Sequence, residues 1–299
     1  MSNRIEFYKN RNISERFSVA IDFLKQNWKI LYKNILPGGF PLAIIMAIIM
    51  TLEPANQPYT IPNIVNNLFF ILIFFLVTFM NMVYFYSMTG ALLHHYNLNE
   101  ISGTTGWSDL KSTFLKLSVK TITINLVLLI PFIIIAVIIG VFVALFFSTG
   151  INSAASVILI IILILLLLAG LILTAPSFCM LYYPAFFSGK GIWESIKVSF
   201  VLGFRHWGSI FVALILTTIL YTVVYMIFSA PFQILSLVSV LFPSGNLFIL
   251  KFIFATLSTV GSMLSYPVII IIFAFQYFSI VEKEESVSLQ SQIDVFENL

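Results

Sequence analysis

The sequence predicts an all-α, polytopic membrane protein: six transmembrane helices, three amphipathic interfacial helices and a threefold internal repeat. Three observations carry this. The 299 residues are 60% hydrophobic and only 9% charged, where a soluble domain runs at about 25% charged. Six apolar stretches are long enough to cross a hydrocarbon core about 30 Å thick, which takes about 20 helical residues. All 4 tryptophans fall in three mixed polar–apolar segments that precede spans.

Composition excludes several classes at once. The 15 Lys and Arg and 12 Asp and Glu cannot keep a surface this apolar in water, and Phe alone occurs 31 times. A cytosolic enzyme, a secreted disulfide scaffold and a disordered chain are all ruled out. The single Cys179 permits no intramolecular disulfide or metal cluster, and its apolar neighbours read as the setting of a buried spectator thiol. A net charge of +3 gives no case for nucleic acid. The first twelve residues are polar and charged, so no cleavable leader is expected.

The six spans are residues 36–52, 68–93, 122–147, 157–187, 210–230 and 252–280. Runs such as 158–168 do not alternate in polarity, which argues against a transmembrane barrel. Backbone groups in lipid must then be satisfied within each segment, as a helix does. The stretch 232–242, closed by Pro243-Ser244-Gly245, reads as a short outer helix or as an extension of span five. Of the 15 Lys and Arg, all but Lys251 fall on one side of this layout. Cytoplasmic loops carry the basic excess, so both termini are expected inside.

Internal similarity points to one unit used three times. The segment ISERFSVAIDFLKQNWKIL before span one aligns with GIWESIKVSFVLGFRHWGSI before span five, pairing Ile13 with Ile192, Glu15 with Glu194 and Trp28 with Trp207. The segment TGWSDLKSTFLKLSVKTI before span three pairs Trp107 with Trp193, Lys111 with Lys197 and Phe114 with Phe200. Pro176 and Pro267 match, as do Phe187 and Phe278. The expected organisation is a single transmembrane domain, 1–282, with units 13–96, 104–188 and 191–280, then a flexible tail, 283–299.

The three leading segments are amphipathic. Phe17, Ile21, Leu24, Trp28 and Leu31 form one stripe, and Ile192, Ile196, Phe200, Gly203 and Trp207 another. Tryptophan prefers the headgroup region, where its ring is half in lipid and its N–H is wet. Trp28, Trp107, Trp193 and Trp207 are therefore interfacial anchors. The segments lie along the inner surface, or else they are cytoplasmic extensions of the spans.

The layout, and above all GIWESIKVSFVLGFRHW before a span, resembles the membrane-integral domain found fused to some bacterial glycerophosphoryl diester phosphodiesterases. It also resembles related free-standing six-span bacterial membrane proteins of unknown function. The resemblance covers about residues 13–280. It implies a bacterial cytoplasmic membrane location and carries no catalytic residue over, because the phosphodiesterase activity belongs to a separate soluble barrel.

No ionisable residue lies deep in a span, so proton-coupled transport through a buried carboxylate has no candidate. The deep polar residues are amides and hydroxyls. Asn81, Asn125 and Gln276, with Ser258 and Ser262 in span six, are candidates for inter-helix hydrogen bonds or ligand contacts. Ala255, Ser258, Ser262 and Ser265 share a face of span six, with Gly261 beside it. Pro131, Pro176 and Pro267 are candidate hinges, and Gly38-Gly39 between Pro37 and Pro41 reads as an irregular start to span one. His94-His95, with Glu100, reads as an interfacial pair rather than a metal site, and no cofactor is expected.

Three function classes remain. The first is a non-catalytic accessory or scaffold protein that binds membrane lipids or another membrane protein. The second is a transporter or channel for an apolar or lipid-like substrate, which repeats and kinks would suit. The third is an intramembrane lipid enzyme. It would have to use Glu15, Asp22, His94, His95, Asp109, Glu194 or His206, residues that more simply cap helices or pair with lysines.

Overall fold

The computed structural model describes residues 5–52, 61–98, 105–148, 154–241 and 247–286. Glu100, residues 53–60, 149–153 and 242–246, and the residues beyond Ser286 lie outside the described residues. Among the described residues there are helices and no strands. The helices are α1 (Ile13–Leu52), α2 (Ile61–Asn97), α3 (Trp107–Ser148), α4 (Ala154–Met180), α5 (Tyr183–Phe187), α6 (Ile192–Arg205), α7 (Trp207–Leu241) and α8 (Phe248–Glu285).

Six segments are long and apolar enough to cross a membrane: α1, α2, α3, α4 with α5, α7 and α8. Their outward faces confirm the setting. Leu126, Ile134, Leu165 and Leu173 are each more than half exposed. Surface of that kind is stable against lipid and not against water. The chain is a multi-pass membrane protein.

The leading segments take two forms. The first and second continue without a break into their spans, as α1 and α3, and only the third is a separate helix, α6, ended at His206. Nothing between Trp28 and Leu36 stops a helix, so the turn carries on. The Pro37–Pro41 stretch, expected to be irregular, is helical throughout. Pro37 removes the donor to the carbonyl one turn back and crowds it. The Tyr84 hydroxyl covers that region, donating to the Ile35 carbonyl at 2.9 Å with the Asn34 carbonyl at 3.2 Å as the alternative acceptor. Span four is interrupted after Met180, where Pro184 enters the first turn of α5. Residues 232–241 extend span five as part of α7.

The chain divides into two compact units, Met1–Ser118 with Ile215–Leu299, and Val119–Leu214. The first is built around α8, of whose most apolar stretch 78% is buried, against 6% for α3. Here α1 packs on both α8 and α2. Small residues permit the approach: Ala43, Ala47, Ala255 and Ser258 are buried at it, as close helix packing in lipid requires. Two cross-helix hydrogen bonds pin α8 to α1, Tyr32 to the Leu264 carbonyl at 2.8 Å and Thr259 to the Ala43 carbonyl at 3.1 Å.

The N-terminal segment, which composition marks as merely polar, closes one end of this unit. Phe7 is 4% exposed and sits among Phe23, Tyr96, Phe275 and Phe278, with ring centroids 4.7–6.0 Å away. Ser279 accepts from the Arg11 amide at 3.0 Å and donates to its carbonyl at 3.2 Å. The Arg11 guanidinium folds back onto the carbonyls of Phe7 and Glu6. Burial lowers its pKa from the usual value, while Glu6 and Glu15 work the other way. Helix α1 then begins in a reciprocal capping box: the Glu15 amide donates to Asn12 Oδ1 and the Asn12 amide to Glu15 Oε2.

The second unit packs α6 on α4 and on α5. A Cβ on Gly203 would lie 2.5 Å from Ser177 Cα, so the two backbones touch at the turn that follows Pro176. Ser199 reaches the carbonyls of Met180 and Leu181, at the break in span four, at 3.3 Å. Lys120 donates to the Ala185 carbonyl. These contacts explain why the short α5 is held so firmly: Tyr183, Pro184, Ala185 and Phe186 are all buried.

The buried faces differ from the expected apolar stripes. On α1 the buried residues include Arg16, Ala20, Phe23, Leu31 and Asn34, while Ile21 and Trp28 are exposed. On α6 they are Ser195, Ile196, Ser199, Leu202 and Gly203, while Trp193 and Phe204 are exposed. The physical reason is the solvent. A lipid-facing surface is as apolar as a packed one, and small residues mark the packed one.

Candidate functional site

In the first unit a cavity of about 190 Å³ opens between α1, α2, α7 and α8. One wall is soft and apolar: Ala43, Met46 and Met50 from α1, Phe74 from α2 and Met263 from α8. The thioethers are polarisable and unbranched and adapt to irregular ligands. The other wall is polar and neutral: Thr78 and Asn81 from α2, Tyr225 from α7, and Ser258, Thr259, Ser262 and Tyr266 from α8. No acid, base or cation is among the lining residues.

The helical repeat explains the convergence. Thr78 and Asn81 are three apart on α2, and Ser258, Ser262 and Tyr266 are four apart on α8, so each set shares a face. The cavity thus gathers three of the candidate ligand contacts, Asn81, Ser258 and Ser262. The sequence reading overlooked Thr78, Thr259, Tyr225, Tyr266 and the methionines. The signal available was their register with Asn81 and the serine row.

Hydrogen bonding shows what the site offers. Asn81 spends its amide N–H on the Val77 carbonyl, at 2.9 Å, and among the described residues nothing donates to its Oδ1. Ser262 donates to the Ser258 carbonyl at 3.1 Å, and Thr259 to that of Ala43. With these protons committed, the amide oxygen of Asn81 and the hydroxyl lone pairs of Ser262 and Thr259 are acceptors. Asn81 keeps a second amide N–H, and Thr78 and Ser258 add hydroxyls, so the cavity offers neutral hydrogen-bonding groups that suit a hydroxyl, both donor and acceptor.

Another cavity, about 290 Å³, lies on a different face of α8, lined by Tyr32, Thr217, Tyr221, Ser265 and aliphatic side chains. The rings of Tyr221 and Tyr266, one at each cavity, have centroids 6.3 Å apart. Thr217 Oγ1 is buried with no hydrogen-bond partner.

The remaining candidates are dispersed. Asn125 lies in the second unit, where its Oδ1 accepts from the Tyr182 hydroxyl at 3.0 Å and its Nδ2 donates to the Thr121 carbonyl. Gln276 is 1% exposed within α8. Pro131, Pro176 and Pro267 all lie inside continuous helices. Trp28, Trp107 and Trp193 are about half exposed or more, and Lys29 and Lys197 each stand 5.8 Å from the ring of Trp28 and Trp193 respectively. Trp207 donates its N–H to the Leu173 carbonyl at 3.1 Å.

Four of the groups weighed as catalysts, Glu15, Asp22, His95 and Asp109, have structural partners. Glu15 caps α1. Asp109 accepts from the Gly106 amide at 2.9 Å and from Ser108 at 3.2 Å, at the start of α3. Asp22 pairs with Lys25 in the open, and His95 meets the Thr113 hydroxyl at 3.1 Å. Asn12, Gly106 and Gly191 each precede a first helical residue, with Glu15, Asp109 and Glu194 three positions on. Aligned on helix starts, Trp107 falls opposite Ile192, one position from the pairing with Trp193 that the residues alone suggested.

Comparison with models of known families, with curated proteins and with solved structures finds no match.

Proposed function

We propose that this chain is a non-catalytic, lipid-binding accessory protein of the cytoplasmic membrane, and that the cavity around Asn81 holds a neutral lipid bearing a free hydroxyl. One observation carries the reading: a mid-span cavity with a soft apolar wall facing a wall of neutral hydrogen-bonding groups. A charged ligand would be left without a counter-ion there, at a high desolvation cost. A pure hydrocarbon would leave the Asn81 oxygen unmet. A diacylglycerol or a long-chain alcohol satisfies both walls.

Both termini are assigned to the cytoplasm by the basic residues, and α6 with the leading thirds of α1 and α3 to the inner surface, their tryptophans at headgroup depth. The starts of α1 and α3, each with a carboxylate three positions on that accepts from the amide before the helix, and Glu194 at the same position of α6, support a threefold repeat.

The test is binding of diacylglycerol to delipidated protein in mild detergent, beside the same lipid with its hydroxyl acetylated. Binding of the first alone, lost in Asn81→Leu, is the expected result. Equal binding of both, or no effect of the substitution, would refute the assignment. A second reading, movement of that lipid between leaflets, is favoured by the cavity's place among the spans. A leaflet-exchange assay in proteoliposomes separates carriage from simple binding.

A further inference from the structure

The first unit holds a larger cavity, about 460 Å³, at the end of the apolar run of α1. Lys33, Pro37 and Gly38 of α1, Tyr84 of α2, and Gly106 and Trp107 at the start of α3 line it. Its frame is fixed. Asn34 bridges to the Thr105 carbonyl at 3.4 Å, and Tyr84 is bonded to the carbonyl of Ile35. The Trp107 ring rests on Phe114, 5.1 Å between centroids, and Phe114 on Tyr84, 5.8 Å.

The rim carries three features that match one chemical class. Lys33 is the last charge on α1 before the uncharged run to Leu52, so its exposed ammonium stands at the depth where headgroups begin. Trp107 is 47% exposed and presents an aromatic face. The Asp109 carboxylate accepts from the amide of Gly106, a lining residue, and from the Ser108 hydroxyl, which puts it at the edge of the cavity. Lys33, Asp109 and the Trp107 ring thus bring one basic, one acidic and one aromatic group together there. A phosphate would pair with the ammonium, and an alkylammonium with the carboxylate and the indole face. A headgroup with a second negative charge, or with none that is positive, would meet Asp109 uncompensated.

We propose that this cavity binds the headgroup of a zwitterionic phospholipid, Lys33 holding the phosphate and Trp107 with Asp109 holding the ammonium. The assignment rests on the reading of the chain as a lipid-binding protein but uses a different cavity from the one around Asn81.

Delipidated full-length protein in mild detergent would be titrated with short-chain phosphatidylethanolamine, short-chain phosphatidylglycerol, diacylglycerol and free phosphoethanolamine, bound lipid being counted by native mass spectrometry. Phosphatidylethanolamine is expected to bind about fivefold or more tighter than phosphatidylglycerol. Lys33→Ala weakens both by a similar factor. Trp107→Leu and Asp109→Asn bring the two lipids within about twofold. Lys25→Ala, an exposed lysine elsewhere on α1, leaves the preference intact and controls for charge. Phosphatidylglycerol binding as well as phosphatidylethanolamine, or an unchanged affinity for both lipids in Lys33→Ala, overturns the proposal. Free phosphoethanolamine binding as tightly as the lipid overturns the lipid assignment in favour of a soluble ligand. Failure of diacylglycerol alone refutes the Asn81 cavity and leaves this one standing.

Discussion

The ring of Tyr84 occupies the space that a side chain on Gly38 would need: a Cβ there would stand 2.5 Å from Tyr84 Cζ. The same phenol bonds the carbonyls beside the Pro37 turn. A missing side chain and a hydroxyl therefore act together to carry α1 unbroken through Pro37–Pro41. Gly38→Ala is expected to destabilise the protein by about 1–3 kcal/mol through overpacking, and Tyr84→Phe by about 1 kcal/mol. Thermal unfolding in detergent measures both. Gly170→Ala, where a Cβ meets nothing within 4 Å, is the control and should not destabilise.

The contact of Gly203 with Ser177 is tighter, because the obstructing atoms include the Ser177 backbone. Gly203→Ala should cost more than Gly38→Ala, since a backbone cannot rotate away. Ser177 Oγ is buried without a partner at that contact. An unmet buried hydroxyl is a penalty already present, so Ser177→Ala should be neutral or stabilising by up to about 1 kcal/mol. A clear loss of stability in that variant would show that the hydroxyl has a partner after all.

Phe7 anchors the N-terminal segment in contact with four rings of α1, α2 and α8. Phe7→Ala should cost about 3–5 kcal/mol, as large aromatic truncations in a packed core do. Protease cleavage after Tyr8 or Lys9 should accelerate in parallel as the segment detaches. Ser279→Ala, which removes both bonds to Arg11, should produce a smaller version of the same change.

Tyr8 stands beside Glu282 and Glu285, and its burial first, then their charges, push its pKa from about 10 up to about 12. The folded state thus favours the neutral phenol. Its contribution to stability is complete below pH 10 and is lost as pH rises toward 12. Across that window the wild type should lose stability more steeply than Tyr8→Phe. Parallel curves for the two proteins would contradict the burial of this group.

The six spans and their helical nature were legible because crossing a bilayer leaves no alternative: about 20 apolar residues with every backbone group satisfied internally. Which face of each helix packs was not legible. Ile21 and Trp28, in the apolar stripe assigned to the membrane surface, are exposed, while the less conspicuous Ser195, Ser199 and Gly203 are among the buried residues of α6. Asn81, Ser258 and Ser262 were recognisable as unusual residues at depth. That they line one cavity, and that Asn125 and Gln276 do not, depends on helix rotation that composition does not encode.

The sequence alone decided that this chain is a membrane protein with six helices long and apolar enough to cross a bilayer. Hydration energies make those outcomes nearly compulsory. Tertiary structure decided which helix becomes the post, that Phe7 closes one end, and that neutral acceptors from two helices meet in a cavity. Lipid and protein interior are equally oily, so the choice between them falls to shape and to individual hydrogen bonds, which exist only once the helices have met.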